Sequence, residues 1–100
     1  MIVYKACHIT HDLIRTLTSL IMFGSDLSLN YSIGKVTTAI DSSFGIFCFD
    51  TLRHAKEFAI NSNSIYLAET FGPKLPEPEV LDLPLGTLLF WKIRLLELAP

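Results

Sequence analysis

The stretch that decides the fold is residues 45–59, which read GIFCFDTLRHAKEFA. Its first five residues form a short continuous apolar run, which is typical of a strand with both faces covered. Asp50 and Thr51 then supply side-chain oxygens that can cap a helix N-terminus. From Thr51 onward, apolar residues recur every three or four positions, and charged residues fill the positions between them. The stretch predicts a central strand followed by one amphipathic helix over about residues 51–60.

Strand-like patterns flank this unit on both sides, with alternating or β-branched residues bounded by turn signals. They are found in residues 1–9, 27–33, 36–40, 64–70 and 87–98. Residues 13–23 fit a helix or a strand, and their threonines and the turn before them favour a strand in a hairpin. We therefore expect an α+β fold, in which a mainly antiparallel twisted sheet of five or six strands carries the helix on one face. Residues 71–86 hold four prolines and are predicted to form a long ordered loop.

Composition indicates a single domain over residues 1–100, because half of the residues are hydrophobic and only 18% are charged. The net charge of −2 and the lack of a basic stripe argue against nucleic-acid binding. The longest apolar stretches are interrupted by charges and fall short of the ~20 residues that a membrane-spanning helix needs. Cys7 and Cys48 lie in apolar runs without metal-ligand spacing, so we expect buried thiols and a cytoplasmic location.

Motifs that carry catalysis are missing from the sequence, since it contains no GxSxG, HExxH or paired-acid pattern. A grouping of Cys7, His8 and His11 with Asp12 has a spacing that occurs commonly by chance. We therefore expect neither an enzyme, nor a metal site, nor a cofactor.

Four basic side chains would converge on an anionic ligand if their strands were neighbours, and one acid lies near the end of a strand. The candidate ligand-binding residues are Arg15, Arg53, Glu69, Lys92 and Arg94. The alternative is that these are ordinary solvated surface charges.

Several features of the chain occur together in one group of small proteins. They are Tyr4-Lys5, Tyr31 followed by Gly34-Lys35, the block 45–59, and Pro84-Leu85-Gly86-Thr87. On these features the chain resembles small uncharacterised proteins encoded by bacterial, phage and giant-virus reading frames. The match spans most of the chain, although residues 13–23 and 88–98 are more hydrophobic than the pattern of that group. The resemblance implies a source of this kind, such as a phage or another mobile element, but no particular activity.

One short helix cannot cover both faces of so apolar a sheet, so we expect another molecule to cover the rest. A second copy of the chain is the simplest choice, because two-fold dimers are the commonest oligomers. The candidate interface residues are Phe23, Phe90 and Trp91.

Three functions fit these observations. The favoured one is a small non-catalytic binding module that sequesters a small anionic ligand or a host protein. A small ADP-ribosyltransferase-like enzyme with Glu69 as its acid is the first alternative. A structural subunit of a homo-oligomer is the second.

Overall fold

The structure is a computed structural model of the chain. It describes residues 1–10, 13–17, 28–41, 43–59, 64–79 and 83–100. These residues form eight strands and one helix. In chain order they are β1 Ile2–Thr10, β2 Leu13–Leu17, β3 Ser28–Tyr31, β4 Val36–Thr38, β5 Ile46–Phe49, α1 Leu52–Phe58, β6 Ser64–Phe71, β7 Thr87–Phe90 and β8 Lys92–Leu98.

Six of the strands form an antiparallel sheet in the order β3-β2-β1-β6-β8-β4. The remaining two, β5 and β7, pair with each other, and β5 also pairs with β1. The helix α1 packs against β1, β5 and β6. The predicted α+β fold, with a mainly antiparallel sheet and one helix packed on it, is confirmed. No helix in the described part of the chain is long and apolar enough to cross a membrane.

The sheet curls, because its first and last strands are joined by a short connection. Four residues, 32–35, separate β3 from β4. Six flat strands would place these ends about 24 Å apart, whereas the chain from Tyr31 to Val36 reaches at most about 18 Å. In the curled sheet β3 contacts β4, and the N–H of Gly34 donates to the carbonyl of Leu95 at 2.8 Å.

The concave face of the curled sheet encloses the main core. Almost every strand contributes to it, and its fully buried members include Val3, Cys7, Tyr31, Ile46, Cys48, Ala68, Ile93 and Leu95. On the convex face, α1 covers β5: the rings of Phe49 and Phe58 lie 5.1 Å apart, and Ala55 is fully buried. All four residues of β5 are buried, which confirms the prediction of a central strand covered on both faces.

The helix is capped as predicted but is shorter than the predicted range of 51–60. Thr51 keeps an extended backbone, and its hydroxyl accepts from the N–H of His54 at 3.1 Å. The helix ends at Phe58, because Ala59 is again extended while its N–H still donates to Ala55. The last residue of the predicted range, position 60, lies outside the described residues.

The strand before the helix and the strand after it lie on opposite sides of β1. Tyr4 of β1 pairs with both Phe49 and Leu67, and both pairings are antiparallel. Consequently β5 and β6 run parallel to each other with β1 between them. The unit β5-α1-β6 is therefore a split β-α-β motif.

The single strand predicted over residues 87–98 is wrong, because the chain breaks at Trp91 into β7 and β8. The two halves have different partners: β7 pairs with β5, whereas β8 pairs with β6 and β4. The carbonyl of Trp91 accepts from the N–H of Ala39. In the proline-rich segment, Leu75 forms a single bridge to Leu89 and covers part of the free edge of β7.

A lysine lies inside the concave core. Lys5 is only 2% exposed, and its Nζ donates to the carbonyl of Phe47. Burial lowers the pKa of Lys5, while burial raises the pKa of Cys7 to about 12 and that of Cys48 to about 11. Among the described residues no carboxylate pairs with Lys5. The folded protein therefore favours the neutral amine at this position.

This burial predicts a pH dependence of stability. Because the pKa of Lys5 is lower in the folded chain, the unfolded chain binds more protons, and stability rises with pH between the folded-state value and about 10.4. We expect the unfolding free energy of the wild type to rise relative to that of Lys5→Met, by at most about 1.4 kcal/mol per pH unit. Denaturant unfolding of both proteins at several pH values measures this difference. If the unfolding free energies of the wild type and of Lys5→Met changed with pH by the same amount, the prediction would be wrong.

Candidate functional site

The structure brings together three of the five predicted ligand-binding residues. Glu69 of β6 lies directly opposite Arg94 of β8, and Lys92 lies two residues before Arg94 on the same strand. Arg53 lies on α1, where its guanidinium pairs with the exposed Glu57 at 3.3 Å. Arg15 lies on β2, opposite His8 of β1 and Asn30 of β3. The predicted convergence of charges is therefore limited to β6 and β8.

Glu69 and Arg94 belong to a row of four residues that crosses four strands. The register pairs Ile2 with Glu69, Glu69 with Arg94, and Arg94 with Val36. Directly opposed residues of a ladder lie on the same face of the sheet. That face is the convex one, because the alternate residues of β6, namely Tyr66, Ala68 and Thr70, are buried. We call Ile2, Glu69, Arg94 and Val36 the convex row.

The middle of the convex row is an ion pair. Nη2 of Arg94 donates to Oε1 of Glu69, and both side chains are partly exposed. The guanidinium also lies over the ring of Phe71, 5.6 Å from its centroid, which is a cation-π geometry. Nε of Arg94 has no hydrogen-bond partner among the described residues. The cation is thus already neutralised, but most of its donors are not committed to Glu69.

The two ends of the convex row are exposed and apolar. Ile2 is 52% exposed and Val36 is 50% exposed. One row further along the strands, Phe71 lies opposite the exposed Lys92. We call the convex row together with Phe71 and Lys92 the convex patch. The convex patch therefore combines exposed apolar side chains with an arginine, an aromatic ring and two further charged groups.

The residues predicted for an interface have different positions. Phe90 is 2% exposed and fills the concave core opposite Ile46, so its side chain is not on the surface of the single chain. Trp91 is partly exposed at the break between β7 and β8. Phe23 lies outside the described residues.

Sequence reasoning missed Ile2 and Val36. Their signal was faint: the alternation of β1 places Ile2 on the side of Tyr4, but only the pairing of four strands reveals that Ile2 and Val36 end one row.

A second polar contact that sequence reasoning missed lies at the start of the helix. Nδ1 of His54 lies 2.6 Å from Oδ1 of Asp50, so the ring donates to the carboxylate. This hydrogen bond lowers the pKa of Asp50. The N–H of Asp50 donates to the carbonyl of Gly86 at 3.0 Å. The backbone hydrogen bond of Asp50 therefore connects the turn before β7 to the start of α1.

Close packing at this contact requires a glycine. Gly86 has φ +84°, and a Cβ there would lie 2.2 Å from Nδ1 of His54. Gly34 has φ +83°, but a Cβ there would meet nothing within 4 Å. An alanine at either position would suffer the same strain from the positive φ. The two positions differ in the space that is open to its methyl group.

We expect Gly86→Ala to destabilise the protein more than Gly34→Ala does. Gly34→Ala should cost about 1–2 kcal/mol, the strain of a left-handed backbone. Gly86→Ala should cost about 1–3 kcal/mol more, because the new methyl group also displaces the His54 ring. Unfolding free energies from denaturant titration measure both changes, and equal losses would show that the clash is relieved at no cost.

The described residues contain no group of three or more His, Cys, Asp or Glu side chains placed to hold a metal ion. No protein-family model matches this chain, and no curated protein or solved structure matches it either.

Proposed function

We propose that the protein is a small, non-catalytic binding module that contacts another protein through the convex patch. The observation that carries this proposal is the convex row, in which exposed Ile2 and Val36 flank the ion pair of Glu69 and Arg94. Contact surfaces of reversible complexes combine apolar anchors, aromatic rings and arginine in this manner.

A protein partner fits the convex patch better than a small anion does. An anion bound by the remaining donors of Arg94 would lie beside the carboxylate of Glu69, which accepts from Nη2 and would repel a second negative charge. It would also leave Ile2 and Val36 in contact with water. A protein partner covers these apolar side chains and can bind the charged pair at the same time.

The proposed location is a reducing cytoplasm, which is supported by two buried cysteines that are both free thiols. A phage or another mobile element is the proposed source, on the strength of the resemblance of residues 45–59 and the shorter motifs.

Selection from a library of displayed random peptides on the immobilised protein tests the proposed surface. We expect the selected peptides to lose about tenfold or more in affinity for Ile2→Asp and for Val36→Asp, because binding would bury an unpaired carboxylate. Leu85→Asp is the matched control, since Leu85 is also apolar and 78% exposed but lies in the turn before β7. Isothermal titration with the synthesised peptides gives the affinities.

Two outcomes would overturn this proposal. One is that selection yields only peptides that bind wild type and both patch variants equally. The other is that inorganic phosphate or ADP stabilises the wild type against heat and that Lys92→Ala and Arg94→Ala abolish this effect. The second result would assign the same charges to the capture of an anion.

A further inference from the structure

The outer edge of β7 carries a short segment of the same chain. Strand β7 pairs with β5 along one edge, and on its other edge Leu89 forms a single antiparallel bridge to Leu75. The N–H of Leu75 donates to the carbonyl of Leu89 at 2.8 Å. This is the one backbone hydrogen bond between β7 and residues 72–79, all of which the structure describes. We call residues 72–79 the strap.

The side chain of Leu75 fills a space that a glycine leaves open. A Cβ on Gly45 would lie 2.7 Å from Cδ1 of Leu75 and 3.7 Å from Cβ of Leu89. We call the space bounded by Gly45 and Leu89 the leucine socket. Leu75 is partly buried in this socket, whereas Lys74 and Pro76 on either side of it are exposed. One side chain and one hydrogen bond therefore hold the strap against β7.

Prolines prevent the strap from becoming a strand of the sheet. The strap reads GPKLPEPE, and its three prolines favour an extended backbone but have no N–H to donate. The carbonyl of Leu89 points toward the strap, and that of Thr87 points to the same side, because alternate residues of a strand direct their carbonyls alike. No backbone N–H of the strap donates to Thr87. A peptide strand without these prolines gains a hydrogen bond that the strap does not make.

We propose that the outer edge of β7 and the leucine socket bind an extended peptide that carries a leucine, and that the strap occupies this site until such a peptide displaces it. The strap shows what fits, namely an extended backbone with one leucine side chain. Addition of a peptide strand to a sheet edge is a recurring mode of recognition. None of these residues belongs to the convex patch, so the inference goes beyond the proposed function and does not rest on it.

The peptide is expected to come from another protein rather than from a second copy of this chain. A second copy that inserted its own strap would bring the same three prolines and would gain nothing over the strap that it replaced. A local segment with one buried side chain and one hydrogen bond can also open without unfolding of the rest of the chain.

Two synthetic peptides and one variant test the site. The test peptide, GTKLTETE, replaces each proline of the strap by threonine, and the control peptide, GTKATETE, also replaces the leucine by alanine. Leu75→Ser releases the strap. We expect the test peptide to bind this variant with a Kd of about 1 mM or lower, and the control peptide to bind at least about tenfold more weakly, because it leaves the socket unfilled. Nuclear magnetic resonance titration of the β7 amides measures both affinities.

The wild type and a matched variant are the controls. In the wild type the tethered strap competes with the peptide at a high effective concentration, so the test peptide should bind at least about tenfold more weakly than to Leu75→Ser. Leu85→Ser removes another leucine, which is 78% exposed in the turn before β7, and should bind as weakly as the wild type. Circular dichroism shows whether each variant is folded.

Hydrogen exchange on the wild type needs no variant. The amide of Leu75 should exchange with solvent at least about tenfold faster than that of Cys48 in β5, because it exchanges through local opening of the strap. The test peptide should accelerate the exchange of Leu75 further, since a bound peptide holds the strap open. These measurements decide the question if Leu75→Ser is not folded.

Three results would overturn the proposal. The first is that folded Leu75→Ser binds the test peptide no better than the wild type does. The second is that the control peptide binds as tightly as the test peptide. The third is that the amide of Leu75 exchanges as slowly as that of Cys48, or that the test peptide leaves its exchange unchanged. None of these results involves Ile2 or Val36, so they leave the proposed function to its own test.

Discussion

The four residues between β3 and β4 constrain the whole molecule. They cannot span the width of a flat six-stranded sheet, so the sheet bends until its two end strands touch. Bending turns one face inward, and that face then needs no helix to cover it. This is why a helix of seven residues is sufficient here, although a flat sheet with the same apolar content would need cover on both faces. The same closure encloses Lys5, whose place on β1 beside Val3 and Cys7 leaves it no route to water.

Local patterns were sufficient to predict the elements near the central stretch. The apolar run of β5 and the Thr51 cap depend on neighbouring residues, and both were predicted correctly. The break at Trp91 was not predicted, because residues on both sides of it have the composition of a strand. What divides them is the pairing of β7 with β5 and of β8 with β6. The paired residues lie between 21 positions apart, for Phe71 and Lys92, and 44 positions apart, for Ile46 and Phe90.

The candidate site shows the same limit. Glu69, Lys92 and Arg94 could be selected from the sequence as charges near strand ends, but their common face depends on the register between β6 and β8. Phe90 was selected because it is large and aromatic, and the closure of the sheet places it in the core instead. Ile2 and Val36 belong to the site only because β1 and β4 lie on either side of that pair of strands. The sequence shows which residues are present, but the pairing register of β1, β6, β8 and β4 decides which of them lie together in the convex row.

That register depends on one irregularity. Between Leu67 and Ala68 the pairing of β6 with β8 shifts by one residue, so that Leu67 lies opposite Glu97 but Ala68 lies opposite Leu95. Without the extra residue on β8, Glu69 would face Leu95, the convex row would lose its acid-base pair, and a buried leucine would turn outward. The bulge therefore satisfies two requirements at once: it keeps Leu95 in the concave core and places Arg94 against Glu69 on the convex face. A shift that is needed for the core therefore also sets the order of the convex row.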